Sequence, residues 1–224
     1  MGFDDANVYE QVESLTNTLW PQGNPRFWHL SKLIITFTIH TGAVVRSTSK
    51  AKQDQIIRRM ILASLGLENY LEEQVESANY LLRVMKYKGP QTKETKLGIN
   101  AHTDKNIVPL ILYQNQVDGL QVETKAGKWI NDKPSSPHSF IAMIGDSLYA
   151  WTNGRLRSPY YRVMMSGNEA RYSTGLFSIP KEGYITKAPE EVVDEEHPLL
   201  FKPLDHVEFL GFYYTEAGQL ALST

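Results

Sequence analysis

The sequence predicts a mainly β protein, an antiparallel double-sheet jelly roll that follows a short helical N-terminal region. Three observations support this fold class. Short apolar segments separated by turn residues fill the chain from Ala78 to about Ser178, as in a sandwich or barrel. No helix of convincing length interrupts them, which disfavours a parallel sheet built of βαβ units. Before them, residues 54–65 repeat apolar residues about every four positions, as an amphipathic helix does.

The N-terminal elements are helical where the pattern is clear. In the helix over 54–65, the repeat places Arg58 and Arg59 on the face opposite the apolar residues, and Gly66 marks its C-terminal end. A second helical segment covers residues 68–76. The stretch from Phe27 to Lys50 fits neither a helix nor a strand and is left unassigned.

The strands are separated by recognisable turns. Ala126-Gly127 and Asn153-Gly154 predict tight turns, and Ser166-Gly167-Asn168 predicts a hairpin. The predicted strands are Tyr80–Lys88, Leu97–Ala101, Val108–Tyr113, Gly119–Thr124, Lys128–Asn131, Phe140–Ile144, Leu148–Trp151, Tyr160–Met165 and Arg171–Ser178. We therefore divide the chain into a partial helical region (1–77), a jelly-roll domain (78–181) and a C-terminal tail that packs on the core (182–224).

Composition restricts the possible partners. The chain has 224 residues, with 23 basic and 25 acidic residues, and its net charge of −2 offers no electrostatic basis for nucleic acid or an anionic membrane as main partner. The absence of cysteine excludes disulfides, cysteine zinc sites and thiol nucleophiles.

The longest apolar stretch, Leu33–Val45, falls short of the roughly 18–20 residues of a membrane span. The acidic N-terminus lacks the pattern of a signal peptide, and we expect a soluble, cytoplasmic protein.

His102-Thr103-Asp104 is a candidate metal-binding pair. Residues at i and i+2 of an extended segment point to the same side, so the imidazole and the carboxylate can converge on one ion. Taken alone, the pair is more typical of a surface histidine beside a turn aspartate.

Arg171 and Ser173 are a candidate anion receptor. They lie on one face of the last predicted strand, and a guanidinium fork with a neighbouring hydroxyl suits a carboxylate. The alternative is a structural salt bridge. Tyr87, near the end of the first strand, adds a hydroxyl to the same anion or is a core tyrosine.

Five motifs occur between residues 100 and 180, namely NAHTDKN (100–106), DGLQV (118–122), GKWI (127–130), IGDSLYAWTNGRLRSPYYRV (144–163) and RYSTGLFSIP (171–180). In their order and spacing they resemble the catalytic domain of plant 2-oxoglutarate- and Fe(II)-dependent dioxygenases, a double-stranded β-helix (jelly-roll) family, and the resemblance covers residues from about 79 to 180. The segments YLLRVMKYKGPQT (80–92) and HVEFLGFYYTEAG (206–218) are most similar to the branch of glucosinolate-modifying alkenyl- and hydroxyalkyl-producing enzymes and auxin-oxidising dioxygenases.

The resemblance implies an oxidoreductase of plant specialised metabolism that uses Fe(II), 2-oxoglutarate and molecular oxygen on a small-molecule substrate. His102 and Asp104 would be two of three iron ligands. Arg171 and Ser173, with help from Tyr87, would bind the distal carboxylate of 2-oxoglutarate. A facial triad of two histidines and one carboxylate leaves coordination positions open for the 2-oxo acid and for oxygen.

One residue departs from the family's iron site. The family's third ligand is a histidine in the run Ser-Pro-Tyr-His-Arg-Val, and Tyr161 stands at that position here. A phenol, with a reference pKa of about 10, must lose its proton to bind as an anion, whereas a neutral imidazole is ready to bind. Tyr161 either binds iron in an altered site, or turns aside from a two-ligand iron, or marks a non-catalytic relative. His138, in a polar loop, is a weaker substitute.

Two further departures concern the co-substrate contact and the N-terminus. Met85 stands where relatives often carry asparagine, two positions before Tyr87. The resemblance covers Val8–Phe27 and Asp54–Glu76, and we expect the beginning of the family's helical region to be absent. The competing hypotheses are a catalytically inactive relative that retains ligand binding and, less in keeping with the motifs, a sugar- or protein-binding β-sandwich without a metal.

Overall fold

The computed structural model describes residues 2–3, 49–114, 117–132 and 140–215. The chain divides into two compact units, of which the first comprises residues 1–76 and 80–82 and the second residues 77–79 and 83–224. The unassigned stretch 27–50 lies, up to residue 48, outside the described residues, as does the apolar stretch 33–45. Among the helices that the structure describes, none has the length and apolar character needed to cross a membrane.

The first unit is helical, as predicted. Helix α1 (Ser49–Leu65) leads through a 3₁₀ turn (Glu68–Tyr70) to helix α2 (Leu71–Glu76), and a two-residue strand β1 (Gly2–Phe3) also belongs to this unit. Gly66 ends α1 with φ +73°, and the amide of Leu67 donates to Leu62 O at 2.9 Å. This is the Schellman arrangement, in which a glycine takes the left-handed conformation after the last helical turn.

The buried face of α1 differs from the predicted one. Arg58, expected on the solvent face, is 2% exposed, whereas Met60 is 67% exposed. Arg58 is held by an ion pair with Asp54 at 2.8 Å and by a hydrogen bond to Gln74 O at 2.8 Å. Tyr80 donates to the same Asp54 carboxylate at 2.8 Å. These partners replace the water that the guanidinium loses on burial, so its burial is tolerated. The spacing of apolar residues in the sequence does not reveal such polar partners.

The second unit contains two main antiparallel sheets. In one sheet the order is β2-β9-β4-β7, and in the other it is β3-β8-β5-β6. Each pairing whose register is described is antiparallel. The strands of these sheets are β2 (Ala78–Tyr87), β3 (Lys96–His102), β4 (Pro109–Gln114), β5 (Leu120–Glu123), β6 (Trp129–Asn131), β7 (Ile141–Ala142), β8 (Tyr161–Met165) and β9 (Arg171–Pro180). The predicted mainly β, antiparallel architecture is confirmed.

The packed interior of the second unit shows which side chains along β8 point inward. Tyr161, Val163 and Met165 alternate as buried residues along β8 and pack in one cluster with Leu120 and Met143. Tyr87 packs against the same cluster. Arg162 points the other way and lies 4.1 Å from the centre of the Trp129 ring. This alternation places Tyr161, and not its neighbours in sequence, inside the unit.

Two local predictions were wrong. Leu148–Trp151, predicted as a strand, belongs to helix α3 (Asp146–Trp151), whose buried residues include Leu148, Ala150 and Trp151. The segment predicted as a strand is short and mostly buried, and a short apolar run of this kind does not distinguish a helix from a strand. Ser166-Gly167-Asn168 closes no hairpin, because the strands on either side, β8 and β9, belong to different sheets.

The C-terminal part of the second unit is built from short elements. Strands β10 (Ile185–Thr186) and β11 (Leu204–Asp205) pair with each other, and a 3₁₀ turn covers Glu190–Val192. The aromatic residues between Phe209 and Tyr214 lie mostly in helix α4 (His206–Tyr213), which Asp205 caps by accepting hydrogen bonds from the amides of Val207 and Glu208. The predicted domain boundaries at 77/78 and 181/182 stay predictions.

Candidate functional site

His102 ends strand β3 and is oriented by its own backbone. Its Nδ1 lies 2.7 Å from Asn100 O, a carbonyl that can only accept a hydrogen bond. The ring proton is therefore held at Nδ1, which leaves Nε2 with a lone pair for a ligand. Metal-binding histidines in proteins are commonly oriented in this way.

Asp104 lies two residues farther along, in the loop after β3. Its Oδ2 is buried and has no hydrogen-bond partner within the described residues. A buried carboxylate oxygen without a donor is costly. A cation at this oxygen would satisfy it, so the pair His102 and Asp104 fits a metal ion.

Tyr161 lies directly against this pair. It is the register partner of His102 across the β3–β8 ladder, and the two rings are 4.4 Å apart between centroids, tilted by 50°. The Tyr161 hydroxyl donates a hydrogen bond to Asp104 Oδ1 at 3.2 Å. The three residues therefore converge on one point, with a phenol in place of a third nitrogen or carboxylate.

The surroundings of Asp104 and Tyr161 disfavour the negatively charged forms of these two side chains. Burial raises the pKa of the Asp104 carboxyl, while His102 and the hydrogen bond from Tyr161 lower it in part. Burial also raises the pKa of the Tyr161 phenol well above its usual range, and the charge of Asp104 and its hydrogen bond with Asp104 raise it further. Without a bound cation, Tyr161 is thus a neutral hydrogen-bond donor.

Arg171 and Ser173 face the interior at the start of β9. They are 1% and 2% exposed, whereas Tyr172 between them is 42% exposed, so the period of two predicted from the sequence is observed. Arg171 Nη1 donates to Ser173 Oγ at 3.2 Å. Burial lowers the pKa of Arg171, and the nearby Tyr87 and Asp132 raise it in part.

Tyr87 connects the two halves of the site. Its ring lies 5.5 Å from the guanidinium carbon of Arg171, and its hydroxyl donates to the Met85 sulfur at 3.5 Å. Burial raises the pKa of Tyr87, the Arg171 charge lowers it, and the Asp104 charge raises it. Tyr87 therefore lies within electrostatic reach of both the metal-binding pair and the anion receptor.

Sequence reasoning missed Arg83. The positive charge of Arg83 lowers the pKa values of Asp104, Tyr87 and Tyr161 in part, and its guanidinium lies 5.1 Å from the centre of the Phe177 ring. It precedes Tyr87 by four residues on β2, so alternation counted back from Tyr87 would have placed it on the same face.

Among the described residues, no further histidine or carboxylate completes a metal site with the pair. Across these residues, no group of three or more His, Asp and Glu side chains is arranged to hold a metal ion. His197 bonds to Asp194 at 2.8 Å, and His206 lies 3.4 Å from Ser147 Oγ. His138, the predicted substitute, lies outside the described residues.

Comparison with known proteins supports the family resemblance found in the sequence. A sequence profile of the 2OG-Fe(II) oxygenase superfamily matches residues 73–180. A curated relative, the probable 2-oxoglutarate-dependent dioxygenase AOP1.2 of Arabidopsis thaliana, is 51% identical over 228 residues, which cover 100% of this chain and 67% of the relative.

Solved structures show the same fold. A crystal structure of JOX2 in complex with 2OG, Fe and JA superposes with a TM-score of 0.70 at 30% identity, over 80% of this chain and 54% of that chain. The dioxygenase for auxin oxidation of rice superposes with a TM-score of 0.74 at 23% identity, over 95% of this chain and 67% of that chain. The present chain thus spans about half the length of the JOX2 chain.

Proposed function

Because the chain belongs to the 2OG-Fe(II) oxygenase superfamily, we propose that it is a dioxygenase-type oxidoreductase whose iron site lacks one of the usual ligands. Its cofactors, Fe(II) and 2-oxoglutarate, are those expected from the sequence. We infer that its substrate is a small-molecule metabolite of plant specialised metabolism, the class that the sequence resemblance implies; the relatives themselves are plant dioxygenases. The observation that carries the proposal is the convergence of His102, Asp104 and Tyr161 on one point.

His102 and Asp104 hold the metal in this proposal. The lone pair of His102 Nε2 and the unpartnered Asp104 Oδ2 provide one neutral nitrogen and one anionic oxygen, a donor set that suits Fe(II). When bound, Fe(II) would supply the oxidising chemistry, in which one atom of O₂ and the loss of CO₂ convert 2-oxoglutarate to succinate and the other oxygen atom oxidises the substrate.

Arg171 binds the distal carboxylate of 2-oxoglutarate. Its guanidinium is almost fully buried, and a buried cation gains strongly from an anionic partner because solvent no longer screens the pair. Ser173 Oγ, which already accepts from Arg171, has its own proton available for the same carboxylate. The ring of Tyr87 lies 5.5 Å from the central carbon of this guanidinium and supports its position.

Tyr161 weakens the metal site. As a neutral phenol it donates to Asp104, so it draws electron density from the carboxylate that would bind iron and supplies no nitrogen of its own. Loss of a direct ligand should cost more than the 10- to 100-fold that changes around the ligands typically cost. We therefore expect weak iron binding and strongly reduced turnover.

A second candidate function is supported by the same hydrogen bond. If the Tyr161–Asp104 contact persists in solution, the chain is a catalytically inactive relative that still binds 2-oxoglutarate or a similar dicarboxylate. The anion receptor does not depend on Tyr161, because Arg171 and Ser173 lie on β9 and are bonded to each other. Ligand binding and turnover can thus be separated.

The test compares Tyr161→His with the unaltered chain. We measure Fe(II) affinity, 2-oxoglutarate affinity and succinate formation for both, with Tyr160→His as the control, since Tyr160 adjoins Tyr161 but is not part of its buried cluster. Tyr161→His should raise Fe(II) affinity and succinate formation at least about tenfold, and Tyr160→His should raise neither.

The outcomes distinguish the two functions. Equal turnover in the unaltered chain and in Tyr161→His refutes the disabling effect of Tyr161. Measurable 2-oxoglutarate affinity with no succinate in the unaltered chain, and turnover in Tyr161→His, supports the inactive relative. Absence of iron binding in both proteins refutes the metal role of His102 and Asp104.

A further inference from the structure

A cavity lies beside the loop that carries the metal-binding pair. Its volume is about 500 Å³, within the range of small-molecule sites. It is formed by segments from α3, from the stretch before β8 and from the C-terminal part of the second unit. Its polar and charged lining includes Thr103, Asp146, Arg157, Ser158 and Lys202.

This cavity is distinct from the candidate iron site. Among its described lining residues there is none of the six side chains assigned to iron or 2-oxoglutarate. Thr103 stands between His102 and Asp104, and Tyr160 directly precedes Tyr161. The cavity thus borders the same backbone but is lined by the intervening side chains, which in extended segments face away from their neighbours.

Ser158 is a polar group inside the cavity that lacks a partner. The residue is 8% exposed, and its hydroxyl has no hydrogen-bond partner among the residues that the structure describes. A buried hydroxyl without a partner costs about 1–3 kcal/mol, and native structures rarely retain one without a reason. A ligand with a hydrogen-bond acceptor would satisfy it.

The walls of the cavity are aromatic. Tyr149 and Phe201 meet edge to face, with centroids 5.1 Å apart, and Tyr160 and Phe209 add two further rings. Aromatic walls of this kind favour a flat, apolar ring, which can stack or pack edge-on against them.

The charges at the cavity favour an anion. Asp146, the acidic lining residue, is already paired with Lys105 at 2.5 Å and accepts from Thr103 at 2.9 Å. Arg157 and Lys202 form no ion pair with any residue in the described part of the chain and are exposed at the cavity. The uncompensated charge among the lining residues is therefore positive, and both cations line the same cavity as Ser158.

We propose that this cavity binds an aromatic carboxylate, with the ring between the aromatic walls and the carboxylate at Ser158, Arg157 and Lys202. The Ser158 hydroxyl donates to one carboxylate oxygen, and the two cations neutralise the charge. The site does not depend on the proposed dioxygenase function, because it shares no side chain with the iron and 2-oxoglutarate residues.

The test uses 2-naphthoate, a fluorescent aromatic carboxylate, and 2-naphthamide, an uncharged molecule of the same shape. The unaltered chain should bind 2-naphthoate at least about tenfold more tightly than 2-naphthamide, since the amide cannot form the charge-assisted hydrogen bonds. Lys202→Gln and Ser158→Ala should each weaken 2-naphthoate at least about threefold. Lys181→Gln, at an exposed lysine outside the cavity, is the matched control and should change nothing.

Competition identifies the place of binding. Saturating 2-oxoglutarate, or the Arg171→Lys substitution, should leave the affinity for 2-naphthoate within about twofold. Displacement by 2-oxoglutarate places the probe at Arg171 and overturns the proposal. Absence of 2-naphthoate binding at about millimolar concentration, equal affinity for the amide, or indifference to both Lys202→Gln and Ser158→Ala also overturns it. Circular dichroism of each variant verifies that the fold is retained.

Discussion

Arg171→Lys is the substitution that tests the co-substrate site most directly. The guanidinium is 1% exposed, donates from Nη1 to Ser173 Oγ at 3.2 Å and lies over the Tyr87 ring at 5.5 Å. Lysine keeps the positive charge but loses the planar fork that can hold both oxygens of a carboxylate. The variant thus separates charge from geometry at one position.

The expected loss follows from the number of hydrogen bonds. A guanidinium can give two parallel charge-assisted bonds to a carboxylate, and an ammonium at the same position gives one of comparable direction. One such bond contributes about 1.5–3 kcal/mol, and each 1.4 kcal/mol is a factor of about ten in affinity. We therefore expect Arg171→Lys to weaken 2-oxoglutarate about 10- to 100-fold.

Isothermal titration calorimetry of 2-oxoglutarate, in the absence of oxygen, measures this change. Arg162→Lys is the matched control, because Arg162 lies on the outward face of β8 against Trp129. The affinity of this variant for 2-oxoglutarate should equal that of the unaltered chain. If Arg171→Lys keeps its urea midpoint and its 2-oxoglutarate affinity stays within about twofold, Arg171 does not hold the co-substrate carboxylate.

Three further predictions concern packing and pH. Arg58→Met leaves the buried carboxylate of Asp54 without its cation and should lower the free energy of unfolding by about 3–5 kcal/mol in urea titrations; a loss under about 1 kcal/mol would show that the pair is replaceable. Gly98→Ala places a methyl 3.1 Å from Tyr87 Cδ1, so it should cost about 1–3 kcal/mol and weaken 2-oxoglutarate, whereas an unchanged affinity would remove Tyr87 from the site. Burial lowers the pKa of His206, so the unfolded chain binds the proton more readily and stability is lost as the pH falls below about 6.5. His206→Gln should reduce this loss between pH 7 and pH 5, and an identical pH profile would contradict the assignment.

The chemistry of the site was predictable from the sequence because its parts are local. His102 and Asp104 are two residues apart, as are Arg171 and Ser173, and extended backbone places such neighbours on one side. The exposed Tyr172 between buried Arg171 and Ser173 shows that the rule holds in β9. Arg83 follows the same rule on β2, four residues before Tyr87, so its place on the same face as Tyr87 could also have been predicted from the sequence.

Other features depend on contacts between distant segments. The burial of Arg58 could not be read from α1, because the groups that make it tolerable, Gln74 and Tyr80, lie in later elements. The helical state of Asp146–Trp151 was likewise hidden, since a buried helix and a buried strand share an apolar pattern. Neither error affects the site, because α1 contributes none of its side chains and α3 none of its proposed ligands.

By itself, the sequence determined which chemical groups this protein brings to its candidate site: one histidine, one carboxylate, a phenol in a ligand position and an arginine with a neighbouring hydroxyl. The tertiary structure alone decided how they meet. The β3–β8 register sets Tyr161 opposite His102, and its hydroxyl reaches Asp104, 57 residues earlier in the chain. Spacing within a strand follows from local backbone geometry, whereas pairing between strands is set by the packing of the whole core, which no single segment encodes.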